Sequence, residues 1–183
     1  MYEFELGPIR PPSEAYSILL RVTRNCPWNK CEFCPVYKGE KFSLRSVDEI
    51  KGDIDAMYSI AMKIHEKLIE KGNGNTVDAE MIDEISIENG IDRSYIQQII
   101  FWMNFGMKSL FLQDADSMVV KPDDMVEILN HVKLRFPSIE RITCYSRSKS
   151  LAAKKPDQLK RIREAGLTRI HIGMESGSDT VLK

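Results

Sequence analysis

Downstream of residue 107 the chain alternates short apolar runs with amphipathic stretches, and no other feature restricts its fold as tightly. "KSLFLQ" (108–113), "RITCYS" (141–146) and "TRIHIGME" (168–175) read as buried strands. Between the first two, after a loop "DADSMVVKP", Pro122 sits at the first turn of a helix, "DDMVEILNHVKLRF", that stops at Pro137. Between the second and third, a loop "RSKSLAAKKP" leads into the helix "DQLKRIREAG", closed by Gly166. After the third, "SGSDTVLK" starts a further helix with Ser178 as its N-cap. A helix between two strands leaves them parallel, because a parallel pair needs a long crossover. The expected architecture is α/β, as a (β/α) barrel or an open doubly wound sheet.

Upstream, "YSILLRVT" (16–23) reads as one more buried strand, making four. "SVDE" (46–49) is a capping box, Ser46 as N-cap with Glu49 reaching back. It opens a helix whose apolar face is Ile50, Ile54, Met57, Ile60, Ala61, Ile64 and Leu68, and which ends near Gly72. "GNGN" (72–75) signals a turn, and 76–105 reads as two more helices. The second of these carries Asp92 as cap and Gly106 as stop. The helical segment 58–105 is longer than a plain crossover needs, so it reads as an insertion: a partner or substrate surface, or an extra helical layer. At 183 residues the chain suffices for one domain. Four parallel strands cannot close a (β/α) barrel, so it reads as truncated, part of a longer polypeptide.

Three of the four cysteines fall within "TRNCPWNKCEFCP" (23–35), spaced C-x4-C-x2-C. The N-terminus, "MYEFELGPIRPPSEAY", has no basic region followed by an apolar stretch, and no apolar run could span a bilayer. A reducing cytoplasm is therefore the expected compartment, where clustered cysteines bind metal or do redox chemistry. A net charge of −1 advertises neither a nucleic-acid nor an anionic membrane partner. Zinc would need a fourth ligand, for which Cys144, His65, His131 or His171 would have to serve, giving a zinc-stabilised interaction module. An iron–sulfur cluster with Cys144 as remote fourth ligand has plant-ferredoxin spacing and would make an electron-transfer or cluster-binding protein. A [4Fe–4S] cluster on Cys26, Cys31 and Cys34 alone would leave one iron free to bind a chelating small molecule.

Ligands of parallel α/β folds sit at the C-terminal strand ends. Here those ends carry the cysteines, "QDAD" (113–116), "YSRS" (145–148) and "MESGS" (174–178). With Phe33 just before the third cysteine, the pattern resembles the radical S-adenosylmethionine (SAM) superfamily. The commonest family spacing has three rather than four residues between the first two cysteines.

The resemblance implies that residues 1–183 are the N-terminal part of a partial (β/α)6 barrel, in an enzyme with a [4Fe–4S] cluster and SAM as cofactors. It implies metal ligation by Cys26, Cys31 and Cys34, and reductive cleavage of SAM to a 5′-deoxyadenosyl radical that abstracts hydrogen from an unidentified substrate. "FLQDAD" stands where the family has a Gly-Gly-Glu-like segment, which carries Gln113, Asp114 and Asp116 over as contacts to the SAM amino group. "IHIGMESGSDTVL" matches a Gly-x-Glu-Ser-Gly-Ser form, which places Glu175, Ser176 and Gly177 against SAM. Arg147 would pair with the SAM carboxylate. An external flavodoxin- or ferredoxin-like electron donor is the implied partner. Lys30, Lys38, Trp28 and Tyr37 either tune and shield the loop or simply cover it, and His171 reads as core.

Overall fold

The computed structural model describes residues 2–72 and 76–181. Its main sheet has four parallel strands, β1 (Ile18–Arg21), β4 (Ser109–Gln113), β5 (Arg141–Ser146) and β6 (Leu167–Ile172), hydrogen-bonded in that order. The expected α/β class with four parallel strands is what the chain adopts; the sheet is open, with β1 and β6 at its edges.

The expected first strand is shorter than "YSILLRVT" and divides. After β1 the chain turns into β2 (Thr23–Arg24), which pairs antiparallel with β3 (Ser43–Leu44). This two-stranded ribbon closes residues 25–42 into a loop, the one that carries the three cysteines.

Helix α1 (Val47–Lys71) begins at the capping box as expected: the Ser46 hydroxyl accepts from the Glu49 N–H at 3.2 Å, and Glu49 accepts from the Ser46 N–H at 2.8 Å. It ends at Gly72, whose φ of 64° is left-handed backbone that glycine takes without strain. The remaining "GNGN" residues, 73–75, lie outside the described residues. The segment 58–105 comprises the C-terminal part of α1, α2 (Ala79–Asn89) and α3 (Arg93–Asn104), and Asp92 caps α3 through the Ser94 N–H at 2.8 Å. Downstream lie α4 (Pro122–Arg135), a short α5 (Ser148–Ala152) and α6 (Pro156–Ala165). Helix α5 occupies part of the expected loop "RSKSLAAKKP". Beyond β6 the described residues run through a bend at Gly177 to a turn at 179–181, where the Val181 N–H donates to the carbonyl of Ser178, the expected N-cap; 182–183 lie outside the description.

Strand alternation sorts the sheet into two faces. Ile18, Leu20, Val22, Leu110, Leu112, Ile142 and Cys144 join the buried side chains of α1, α3, α4 and α6 in one core. The alternating positions Arg21, Phe111, Gln113, Thr143, Tyr145 and His171 face the other way and stand outside that core. Part of this second face is covered by the N-terminal segment. Gln113 is bonded to Gly7 and Ile9, Arg21 to Glu5, and Arg141 to Glu14. Helix α2 packs on α1 and α3, in a second layer reinforced by Lys67 and Lys71 against Glu84.

Ile60 is fully buried in α1, whereas Ile87 on α2 is 82% exposed. Ile60→Ala is expected to cost about 2–5 kcal/mol in urea unfolding, by lost burial plus the cavity left behind. Ile87→Ala should change stability by under about 0.5 kcal/mol.

Candidate functional site

Cys26, Cys31 and Cys34 are free and partly exposed, on the loop between β2 and β3, beyond the C-terminal end of β1. The Asn29 N–H points at Cys26 Sγ from 3.3 Å, and the Cys34 N–H donates to the Cys31 carbonyl at 3.3 Å in a tight turn. Among the described residues no three His, Cys, Asp or Glu side chains converge into a metal-binding group. As donors, three accessible soft thiols suit iron–sulfur ligation. Cys144 differs from them: it lies in the middle of β5, fully buried, and burial pushes its thiol up to about 12. A thiolate ligand is disfavoured there.

Both ends of the cysteine loop converge on Asp114. This carboxylate has no exposure, and Oδ2 accepts from Arg21 Nε at 2.7 Å and from the Asn25 N–H at 2.9 Å. The Tyr37 hydroxyl donates to Oδ1 at 3.2 Å. Burial first, then the charge and hydrogen bond of Asp114, push the Tyr37 phenol well above its usual range. Inside the loop, the Asn29 side chain donates to the Tyr37 carbonyl at 2.5 Å, and Asn25 Nδ2 donates to the Lys41 carbonyl at 2.8 Å. Asn25 and Asn29 both have positive φ, 66° and 47°, which asparagine tolerates better than most residues.

Gln113, Asp114 and Asp116 all sit at or beyond the end of β4, as the rim reading requires, but their side chains are buried and engaged within the chain. Gln113 Oε1 accepts from the Gly7 N–H at 2.8 Å, and its Nε2 donates to the Ile9 carbonyl at 2.8 Å. Asp116 accepts from Ser150 Oγ at 2.6 Å and Ser146 Oγ at 3.3 Å, joining β4's exit to β5's.

Arg147, just past β5, lays its guanidinium on the Trp28 ring, 4.6 Å from the centroid, so this strand end meets the cysteine loop. Lys30 Nζ lies 5.1 Å from the same ring. Phe33 is 69% exposed. Glu175 and Gly177 are exposed beyond β6 and Ser176 is half-buried. Glu175 has a φ of 57°, and its carboxylate folds back over Gly173, where a Cβ would collide with it. No hydrogen bond or ion pair among the described residues links this segment to the cysteine loop. His171 stands 5.9 Å from the Tyr145 ring, with Nε2 3.5 Å from the buried Glu14 carboxylate.

Sequence reasoning missed the N-terminal segment as a part of the site. Glu5 receives Arg24 at 2.7 Å, Arg21 at 2.8 Å and Arg45 at 3.3 Å, and Arg45 also pairs with buried Asp53 at 2.6 Å. The available signal was Arg21, a lone cation inside an apolar strand, which demands a buried acidic partner.

Among comparisons with known proteins, the family model described as the Radical SAM superfamily matches residues 20–183. No curated protein and no solved structure matches the chain significantly.

Burial alone would raise the Glu5 carboxyl, but its hydrogen bond to Arg24 and the charges of Arg45, Arg24 and Arg21 outweigh this and hold it below its ordinary 4.5. A depressed folded value contributes stability that is present above the unfolded value and lost as pH falls through the folded one. Glu5→Gln should cost about 1 kcal/mol at neutral pH. It should also flatten the acid limb of a urea-unfolding series run from neutral pH to about pH 3. An unchanged acid limb would remove Glu5 from the account.

Proposed function

The chain belongs to the radical SAM superfamily, and from that premise we propose that it holds a [4Fe–4S] cluster through Cys26, Cys31 and Cys34 and binds SAM beside it. The carrying observation is the set of three free, partly exposed thiols on one ribbon-closed loop, while the fourth cysteine is sealed in the core. Bound together, a cluster and SAM supply reductive cleavage of the sulfonium and, through it, hydrogen abstraction from an otherwise unreactive substrate carbon.

In this reading the protein's residues orient and shield. Arg147 has its guanidinium face on Trp28, and no side-chain hydrogen bond engages it among the described residues. Its planar fork suits the SAM carboxylate. Phe33 and Trp28 flank the thiols with apolar surface that limits water at the loop. Glu175, Ser176 and Gly177 contribute a polar, small-residue edge for the ribose or methionine end. Gln113, Asp114 and Asp116, with their side chains committed inside the chain, hold the N-terminal segment, the cysteine loop and the exit of β5 in place around the site.

The 183 residues would form the N-terminal part of a (β/α)6 core domain, with α2 and α3 as its added helical layer. The enzyme would take its electron from an external flavodoxin- or ferredoxin-like donor and work in a reducing cytoplasm. No helix among the described residues is long and apolar enough to cross a membrane.

Anaerobic reconstitution with iron and sulfide should give about four iron atoms per chain, and adding SAM should change the spectrum of the reduced protein. Cys26→Ala, Cys31→Ala and Cys34→Ala should each lose most of the iron, while Cys144→Ala keeps it. Loss of the cluster in Cys144→Ala alone, with no response to SAM, would instead support a four-cysteine electron carrier. Stoichiometric zinc without iron uptake would support a zinc module.

A further inference from the structure

Among the described residues, the side-chain hydrogen bonds that leave the cysteine loop for the sheet all end on Asp114 or on Arg21, and Arg21 is itself bonded to Asp114. One Asp114 oxygen holds the N–H of Asn25, the residue before Cys26, and the other holds the hydroxyl of Tyr37, three residues after Cys34. The other hydrogen bonds made by the loop's side chains, from Asn25 to Lys41, from Asn29 to Tyr37 and Glu40, from Lys38 to Asn29 and from the Asn29 N–H to Cys26 Sγ, are internal and would travel with the loop. Gly7 packs against the same carboxylate so closely that any side chain there would collide with Oδ1.

We propose that Asp114 is the positioning residue of the cluster loop: a single buried carboxylate that clips both ends of the three-cysteine segment to the end of β4. Its effect on metal geometry rests on the function proposed above; the clip itself does not. Asp114 touches none of the thiols and acts through the backbone of Asn25 and the ring of Tyr37. A carboxylate suits the task because an ionised acceptor can hold Arg21, an amide and a phenol at once, each by a charge-assisted bond. A neutral amide in its place would offer one acceptor oxygen and would leave Arg21 without a counter-charge.

The test uses the full chain and two variants, Asp114→Asn and Tyr37→Phe, the second removing a single hydroxyl while keeping the ring and the Asp114–Arg21 pair. Metal-free protein is treated with iodoacetamide, and each cysteine's alkylation rate is read by peptide mass spectrometry. Cys26, Cys31 and Cys34 should react about tenfold faster in Asp114→Asn and about threefold faster in Tyr37→Phe, with buried Cys144 unchanged in both. Reconstituted Tyr37→Phe, compared at matched iron content, should show an altered electron paramagnetic resonance lineshape and a weakened response to SAM.

Wild-type alkylation rates at all three loop cysteines in both variants would overturn the proposal. Faster alkylation with an unchanged lineshape and SAM response would also overturn it, leaving Asp114 as a fold residue that does not position the metal. If Asp114→Asn also exposes Cys144, that variant has unfolded and Tyr37→Phe alone decides. If wild-type protein takes up no iron, the cluster reading fails, while the alkylation rates still decide the clip.

Discussion

A carboxylate with no contact with water has to be neutralised where it stands, and Asp114 is neutralised by Arg21, 2.7 Å away. Stripping one partner from such a pair costs about 3–5 kcal/mol, since the other is left charged and dry. Much of the site's arrangement follows from that pairing. Arg21 must stand on the face of β1 away from the helices, where the N-terminal segment brings Glu5 to its other side. Glu5 in turn gathers Arg24 from β2 and Arg45 from just past β3, and Arg45 reaches Asp53 in α1. A single charge network thus joins the N-terminal segment, the first strand, the cysteine loop's closing ribbon and the first helix.

The two faces of the sheet carry different burdens. The helix side is filled by aliphatic residues, whose burial stabilises the fold without specifying any chemistry. The opposite face mixes Phe111, Tyr145 and His171 with a buried Glu14, whose carboxylate is met by Arg141 at 2.9 Å and by Ser17 at 2.6 Å. A buried charge such as that of Glu14 is expensive unless paired, and its partners fix its position more narrowly than packing alone could. Thr143 Oγ1 and His171 Nε2 on the same face are buried without a hydrogen-bond partner among the described residues. The strand ends follow the same logic: Gln113, Asp114 and Asp116 are satisfied by the chain itself, while Arg147 and Glu175 are not enclosed in the same way.

What could be read without coordinates was local. Ser46 with Glu49, Asp92 ahead of "RSYI" and Gly72 after α1 act within one helical turn, and the structure uses all three as expected. "RITCYS" is β5 residue for residue, because a short β-favouring stretch between a proline-stopped helix and a polar loop has few alternatives. The ribbon of Thr23–Arg24 and Ser43–Leu44 was not legible, since two-residue strands have no periodicity to detect and their pairing spans the whole cysteine loop.

The sequence by itself determined the α/β class, the order of the long elements and the presence of three clustered thiols, because each of these depends on residues close together along the chain. It also determined that acidic side chains would follow β4. Only the tertiary structure decided what those side chains face. Asp114 lies 93 residues from Arg21 and 77 from Tyr37, distances at which spacing carries no information. Burial at the strand end, beneath Gly7 and against Arg21, makes the carboxylate the clip of the cysteine loop, since a charge sealed from water takes whatever donors the fold brings to it.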